Sequence, residues 1–178
     1  MDLQDFSSEM LYFEEGNQRE VDELLEKAAQ EYGPISEKYL LRALSMAEEN
    51  LSVLVGLYRF YYYQHRYADA LNIAYRVMGV VGRKIEFPSD WRDITMVSVT
   101  NGVVHSFCLV RLYFFALKAA GYISLRMAKF EQGKEMLEKV VAMDSADRMG
   151  AKLLLEVLSN NKADVLPFNQ AHKLEACS

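Results

Sequence analysis

From Asn17 to Met78, apolar residues return every three or four positions, through four segments of about 12–15 residues joined by very short connections. A chain patterned this way has few options. Each segment coils so that its apolar positions form one stripe, and the short connections force neighbours to lie antiparallel, giving a row of helix hairpins. In NQREVDELLEKAAQEYG the stripe is Val21, Leu24, Leu25 and Ala28, and Gly33-Pro34 ends that helix. Ser36 and Glu37 open the next, SEKYLLRALSMAEEN, whose apolar side is Leu40, Leu41, Leu44 and Ala47. A third helix over 51–64 and a fourth over 67–78 follow, with a break at His65-Arg66.

The third and fourth segments hold an unusual run of tyrosines. At helical spacing Leu54, Leu57, Tyr58 and Tyr61 share a face, and Ala70 and Ala74 share one on the following helix. Large residues facing small ones are what a tight hairpin requires, so Tyr58, Tyr61 and Tyr67 read as core, whereas Arg59, Tyr62 and Tyr63 lie elsewhere. This order resembles the tetratricopeptide (TPR) repeat, and a second copy begins with Leu117, Ala120, Gly121 and Ser124, followed by Phe130, Gly133, Leu137 and Val140. Thirty-four residues after Leu117 comes Ala151, and AKLLLEVL repeats the apolar spacing with Leu154, Leu155 and Leu158. Ser36, Leu40 and Ala43 fall where the second helix of an earlier unit belongs. The resemblance implies an all-α, short TPR-like solenoid of about three repeats over 15–162, with a closing helix. It also implies a concave groove lined by Val55, Arg59 and Tyr62 from one repeat and by Lys118, Tyr122, Leu125 and Arg126 from the other. The lysine-and-asparagine clamp of chaperone-binding members is not reproduced.

The two matching units are 63 residues apart rather than 34, so an insertion separates them, at about 79–108. Gly79, Gly82 and Pro88 predict a loop, after which Ser89 or Asp90 could cap a helix. The segment ITMVSVTNGVVHSFCLV carries opposing signals. Asn101-Gly102 between β-branched runs fits a hairpin, while the helical surroundings favour a long helix, or two helices meeting at Asn101-Gly102 with Trp91 near the start.

Net charge is −5, divided as −8 over residues 1–31 and +3 over the remainder. No basic stripe of the kind that tracks nucleic acid is present. With Cys108 and Cys177 the only cysteines, no disulfide framework is expected, and a reducing compartment is. MDLQDFSSEM has no signal-peptide pattern, and His105, Arg111 and Lys118 interrupt the most apolar stretch, so the expectation is a cytoplasmic protein without a membrane span. Residues 1–14 read as a leader and 163–178 as a tail. The closing helix is apolar on more than one face, which calls for a cover: the tail, the leader, or a second copy in a homodimer.

Catalytic patterns are missing. His65, His105 and His172 are far apart, no metal-ligand spacing occurs, and no phosphate-binding or nucleophile motif is found. Cys108 between Phe107 and Leu109 reads as a buried, inert thiol. The expectation is a non-enzymatic scaffold or adaptor without cofactor, holding a peptide or helix of another protein. In size, charge and repeat number it is similar to small acidic secretion chaperones. The alternative is a helical small-molecule-binding or enzymatic domain that uses the insertion and the Arg/Tyr face as a pocket.

Overall fold

The computed structural model describes residues 19–31 and 33–163. The expected leader and the chain beyond Ala163 lie outside the described residues. Among the described residues seven α-helices follow one another: α1 (Arg19–Gln30), α2 (Pro34–Met46), α3 (Leu51–Tyr63), α4 (Tyr67–Lys84), α5 (Met96–Arg126), α6 (Phe130–Met143) and α7 (Lys152–Ala163). A short 3-10 turn, Trp91–Asp93, precedes α5, and no strand occurs among the described residues. Each helix packs chiefly on its neighbours in sequence, α1 on α2 through to α6 on α7. The fold class is all-α, as the apolar spacing predicts.

Local chemistry sets the junctions. Ser36, expected to start α2, instead sits inside it, and its hydroxyl donates to the Ala28 carbonyl at 2.8 Å. That bond satisfies one of the orphan carbonyls at the end of α1 and pins the first hairpin closed. Asn50 caps α3 by accepting from the Val53 amide at 3.0 Å. In the third and fourth helices Leu54, Leu57, Tyr58, Tyr61, Ala70 and Ala74 are all buried, so the large-against-small pairing holds. Several expected core residues are less enclosed, with Leu25, Leu44 and Ala47 half-buried. Leu41 is exposed, because Leu40 and Ala43 already supply the buried stripe of α2, and Tyr67, at the first position of α4, is only half-buried.

The α3–α4 and α5–α6 turns are built alike, 63 residues apart. The Arg66 amide donates to the Tyr61 carbonyl at 2.9 Å, and the Lys129 amide to the Ser124 carbonyl at 2.8 Å. His65 donates to Tyr62 and Ala128 to Leu125, each at 3.0 Å. His65 and Ala128 adopt the left-handed conformation, with φ 56° and 59°. A side chain pays a small steric penalty there, and the hydrogen bonds to the ends of α3 and α5 offset it.

The irregular part of the expected insertion at 79–108 is shorter than its glycines suggest. Gly79 and Gly82 do not form a loop: α4 runs on to Lys84 because Val77, Val80 and Val81 continue its buried stripe. Only residues 85–95 connect α4 to α5, and they are well anchored. Ile85, Phe87, Trp91 and Ile94 are buried. Lys139 of α6 donates to the carbonyls of Arg92 and Ile94 at 2.6 and 3.0 Å, and Arg92 forms a two-pronged pair with Glu135. Asp90 caps the 3-10 turn, not a long helix; α5 is capped by Thr95, which exchanges hydrogen bonds with Ser98.

Helix wins over hairpin for 96–110, and the break falls at Ser106 instead of Asn101-Gly102. Ser106 is extended, at φ −165° and ψ 114°, and its hydroxyl accepts from the Leu109 amide at 3.3 Å, so the second limb of α5 is recapped. Gly102 is needed for a different reason. A Cβ there would stand 2.6 Å from Phe87 Cε1, so the glycine lets the first limb lie against the 85–95 connection. By length and composition α5 is apolar enough to cross a membrane, but more than half of its most apolar window is buried within this fold.

Candidate functional site

Tyr62 is the hub of an aromatic cluster that joins α3, α4 and α5. Its ring stacks on Tyr58 at 6.0 Å between centroids and meets Tyr63 at 5.8 Å, Tyr67 at 6.2 Å and Tyr122 at 6.3 Å. Arg126 closes the group from one side. Its guanidinium lies 5.1 Å from the Tyr67 ring and donates to the Tyr122 hydroxyl at 3.2 Å. His65 shares a hydrogen bond with the Tyr67 hydroxyl at 3.0 Å.

The sequence places these groups here for traceable reasons. Tyr122 and Arg126 are four residues apart on α5, so they share a face. Tyr58 and Tyr62 have the same spacing on α3. Tyr67 enters because the tight turn at His65 folds the start of α4 back over the end of α3. A second cation, Arg66, braces that turn from the far side: it bonds Glu37 and Asp69 at 2.7 Å each and covers the Tyr61 ring at 4.4 Å. Burial first, then the Glu37 carboxylate, raise the Tyr61 hydroxyl above its ordinary range.

Of the seven residues expected to line a groove, the structure brings three together: Tyr62, Tyr122 and Arg126. Val55 and Lys118 are buried. They are equivalent positions, 63 residues apart, at points where their helices are enclosed on all sides: Val53, Leu54 and Val55 are buried in succession, as are residues 112–121. Lys118 extends its stem inward, with Nζ close to Gly150. Leu125 turns to α6, where it packs on Gly133. Arg59 is exposed, and no contact ties it to the cluster. Cys108 is exposed as well, not buried, because it follows directly on the break at Ser106. Tyr67 and His65 are members that helical periodicity misses, since a turn carries them. Their adjacency to the tyrosine run was the available signal.

Among the described residues Arg126 has no carboxylate partner, and no group of His, Cys, Asp or Glu could hold a metal ion. Among the described residues the cluster therefore offers half-buried aromatic faces, several hydroxyls and a cation without an acid beside it. Aromatic rings and arginine combine contact area with directional hydrogen bonds, the chemistry enriched where proteins hold other proteins. Fold and site define an all-α protein of serially packed helices with a tyrosine–arginine surface across α3, α4 and α5. Over 175 residues the chain is 47% identical to the "Uncharacterized 19.8 kDa protein in nifW 5'region" of Azotobacter chroococcum mcd 1, covering 98% of each, and it belongs to the same family as that protein. No protein-family model matches the sequence. No solved structure matches it either.

Proposed function

We propose that this protein is a non-catalytic interaction scaffold of the cytoplasm, a TPR-like array that holds a peptide or helix of another protein along its tyrosine face. The observation that carries this reading is the contact of Tyr62 with Tyr122, which makes one continuous surface from two repeat-related helices. The pair of equivalent turns 63 residues apart supports a repeat architecture, and the serial packing supports an array. Arg126, with no acidic neighbour among the described residues, favours a partner segment that brings a carboxylate beside an apolar or aromatic side chain. Because the relative is described by its place beside nifW, cells expressing that region are the first source in which to look for the partner.

Affinity capture from native extract tests the proposal, with wild type compared with Tyr62→Ala/Arg126→Ala and with Lys134→Ala, a half-exposed residue of α6, as control. A protein retained by wild type and the control but lost from the double variant, with far-UV circular dichroism unchanged, supports it. Equal retention by all three would refute it, as would the absence of any protein partner together with thermal stabilisation by a small metabolite.

A further inference from the structure

The first limb of α5, residues 96–105, is built inside out. At about 100° per residue, Met96, Val97, Thr100, Val103 and Val104 fall within an arc of roughly 120°. The opposite side carries Ser98, Gly102 and, at its edge, Val99. The structure buries Gly102 and exposes the apolar arc: Val104 is 83% exposed, Val97 68% and Met96 53%. Phe107, just past the break, is half-exposed. The limb cannot rotate to correct this, since a residue other than glycine facing Phe87 would collide with it.

We infer that this arc is the seam of a homodimer, in which the first limb of α5 packs on the same limb of a second copy. Charge decides among the occupants. Residues 94–110 hold no Asp, Glu, Lys or Arg, so two identical arcs meet without repulsion. A helix that lies on a lipid surface carries lysine or arginine along its polar side, and this limb has neither. Residues 1–18 carry five acids and no base, so as a cover they would bring carboxylates onto an uncharged apolar surface. The short valines permit close approach of two helices, and Asn101 borders the arc on one side as a polar rim. Each copy exposes roughly 500 Å² of apolar side chain here, so a symmetric pair removes roughly 1,000 Å² from water, near the lower edge of specific interfaces.

Sedimentation velocity of the full chain over a concentration series tests this. Wild type shifts from one to two copies as concentration rises, and Val104→Glu remains a monomer with unchanged far-UV circular dichroism, its dissociation constant raised at least about tenfold. Because Val104→Glu could perturb the limb, a second variant reports geometry. In a Cys108→Ser/Cys177→Ser background, Val104→Cys forms an intermolecular disulfide under mild oxidation and Ser45→Cys on α2 does not. A wild type that stays monomeric throughout overturns the inference, as does dimerisation undiminished in Val104→Glu or equal crosslinking through Ser45→Cys. Dimerisation seen only after deletion of residues 1–18 assigns the arc to that segment, and flotation of wild type with phosphatidylcholine/phosphatidylglycerol vesicles assigns it to lipid; either result defeats the seam.

Discussion

Gly121 of α5 faces Gly133 of α6 so closely that each helix touches the other's backbone. A Cβ built on Gly133 would stand 2.7 Å from the Gly121 carbonyl oxygen, and one built on Gly121 would stand 3.1 Å from the Gly133 carbonyl oxygen. Leu125 completes the contact, 2.7 Å from the same Gly133 Cβ position. Gly133→Ala therefore gains about 1 kcal/mol of helix propensity but forces two helices apart, for a net loss of about 1–3 kcal/mol. Urea denaturation measures it. A midpoint equal to or above wild type would show that the helices can separate freely.

Gly79 gives the opposite sign. It lies on the exposed side of α4, where a Cβ would meet only the end of the Arg83 side chain at 3.8 Å. Gly79→Ala should raise stability by about 0.5–1 kcal/mol, because alanine loses less backbone freedom on folding. The same urea experiment reads it, and a lowered midpoint contradicts the placement of Gly79 within a regular helix.

Gly102→Ala should cost about 1–3 kcal/mol through its clash with Phe87. The ring cannot easily yield, since it is packed edge-on against Tyr113 at 4.9 Å. Shortening it relieves the clash, so Gly102→Ala/Phe87→Leu should lose less than the two single changes added together. A double-mutant cycle checks this, and simple additivity would mean that the two residues do not meet.

Tyr113 is nearly fully buried, and desolvation raises its hydroxyl well above the ordinary range, with Asp90 adding to the effect. The sign follows from linkage. The folded state holds this proton more tightly than the unfolded state, so the contribution is complete below about pH 10 and is lost as pH rises beyond it. Wild type should lose melting temperature progressively above about pH 10, and Tyr113→Phe should lose less over the same range. Parallel curves for the two proteins would rule out Tyr113 as the source.

The 85–95 connection should depend on Lys139 more than on the Arg92–Glu135 ion pair. Arg92 and Glu135 are each about half exposed, so Glu135→Gln should change stability by less than ~1 kcal/mol. Lys139→Met leaves the carbonyls of Arg92 and Ile94 without their donor. Hydrogen exchange across 91–95 should accelerate at least about tenfold in that variant, with α3 and α4 unaffected. Uniform acceleration in all helices would instead indicate a global loss of stability.

The helices were legible because burial repeats with the turn of the helix: Val21, Leu24 and Ala28, or Leu54, Leu57 and Tyr61, declare their face by spacing alone. Boundaries were less so. Gly79 and Gly82 look like loop residues until Val80 and Val81 are seen to be buried. Gly102 looks like a hairpin turn until Phe87, fifteen residues earlier, is found against it. Such contacts join residues with no local signature. The candidate site was readable where one helix supplies neighbours, as with Tyr122 and Arg126, and unreadable where enclosure decides exposure. Val55 and Lys118 share the register of a groove, and only the close packing around them removes both from the surface.

The extended backbone at Ser106, between the Thr95 cap and the recapped second limb, divides α5 into two separately sealed coils. The outer ten residues therefore carry their own cap and their own direction, while the second limb packs between α4 and α6. Whatever covers the valines of the outer coil meets α5 at the opposite end from Tyr122 and Arg126.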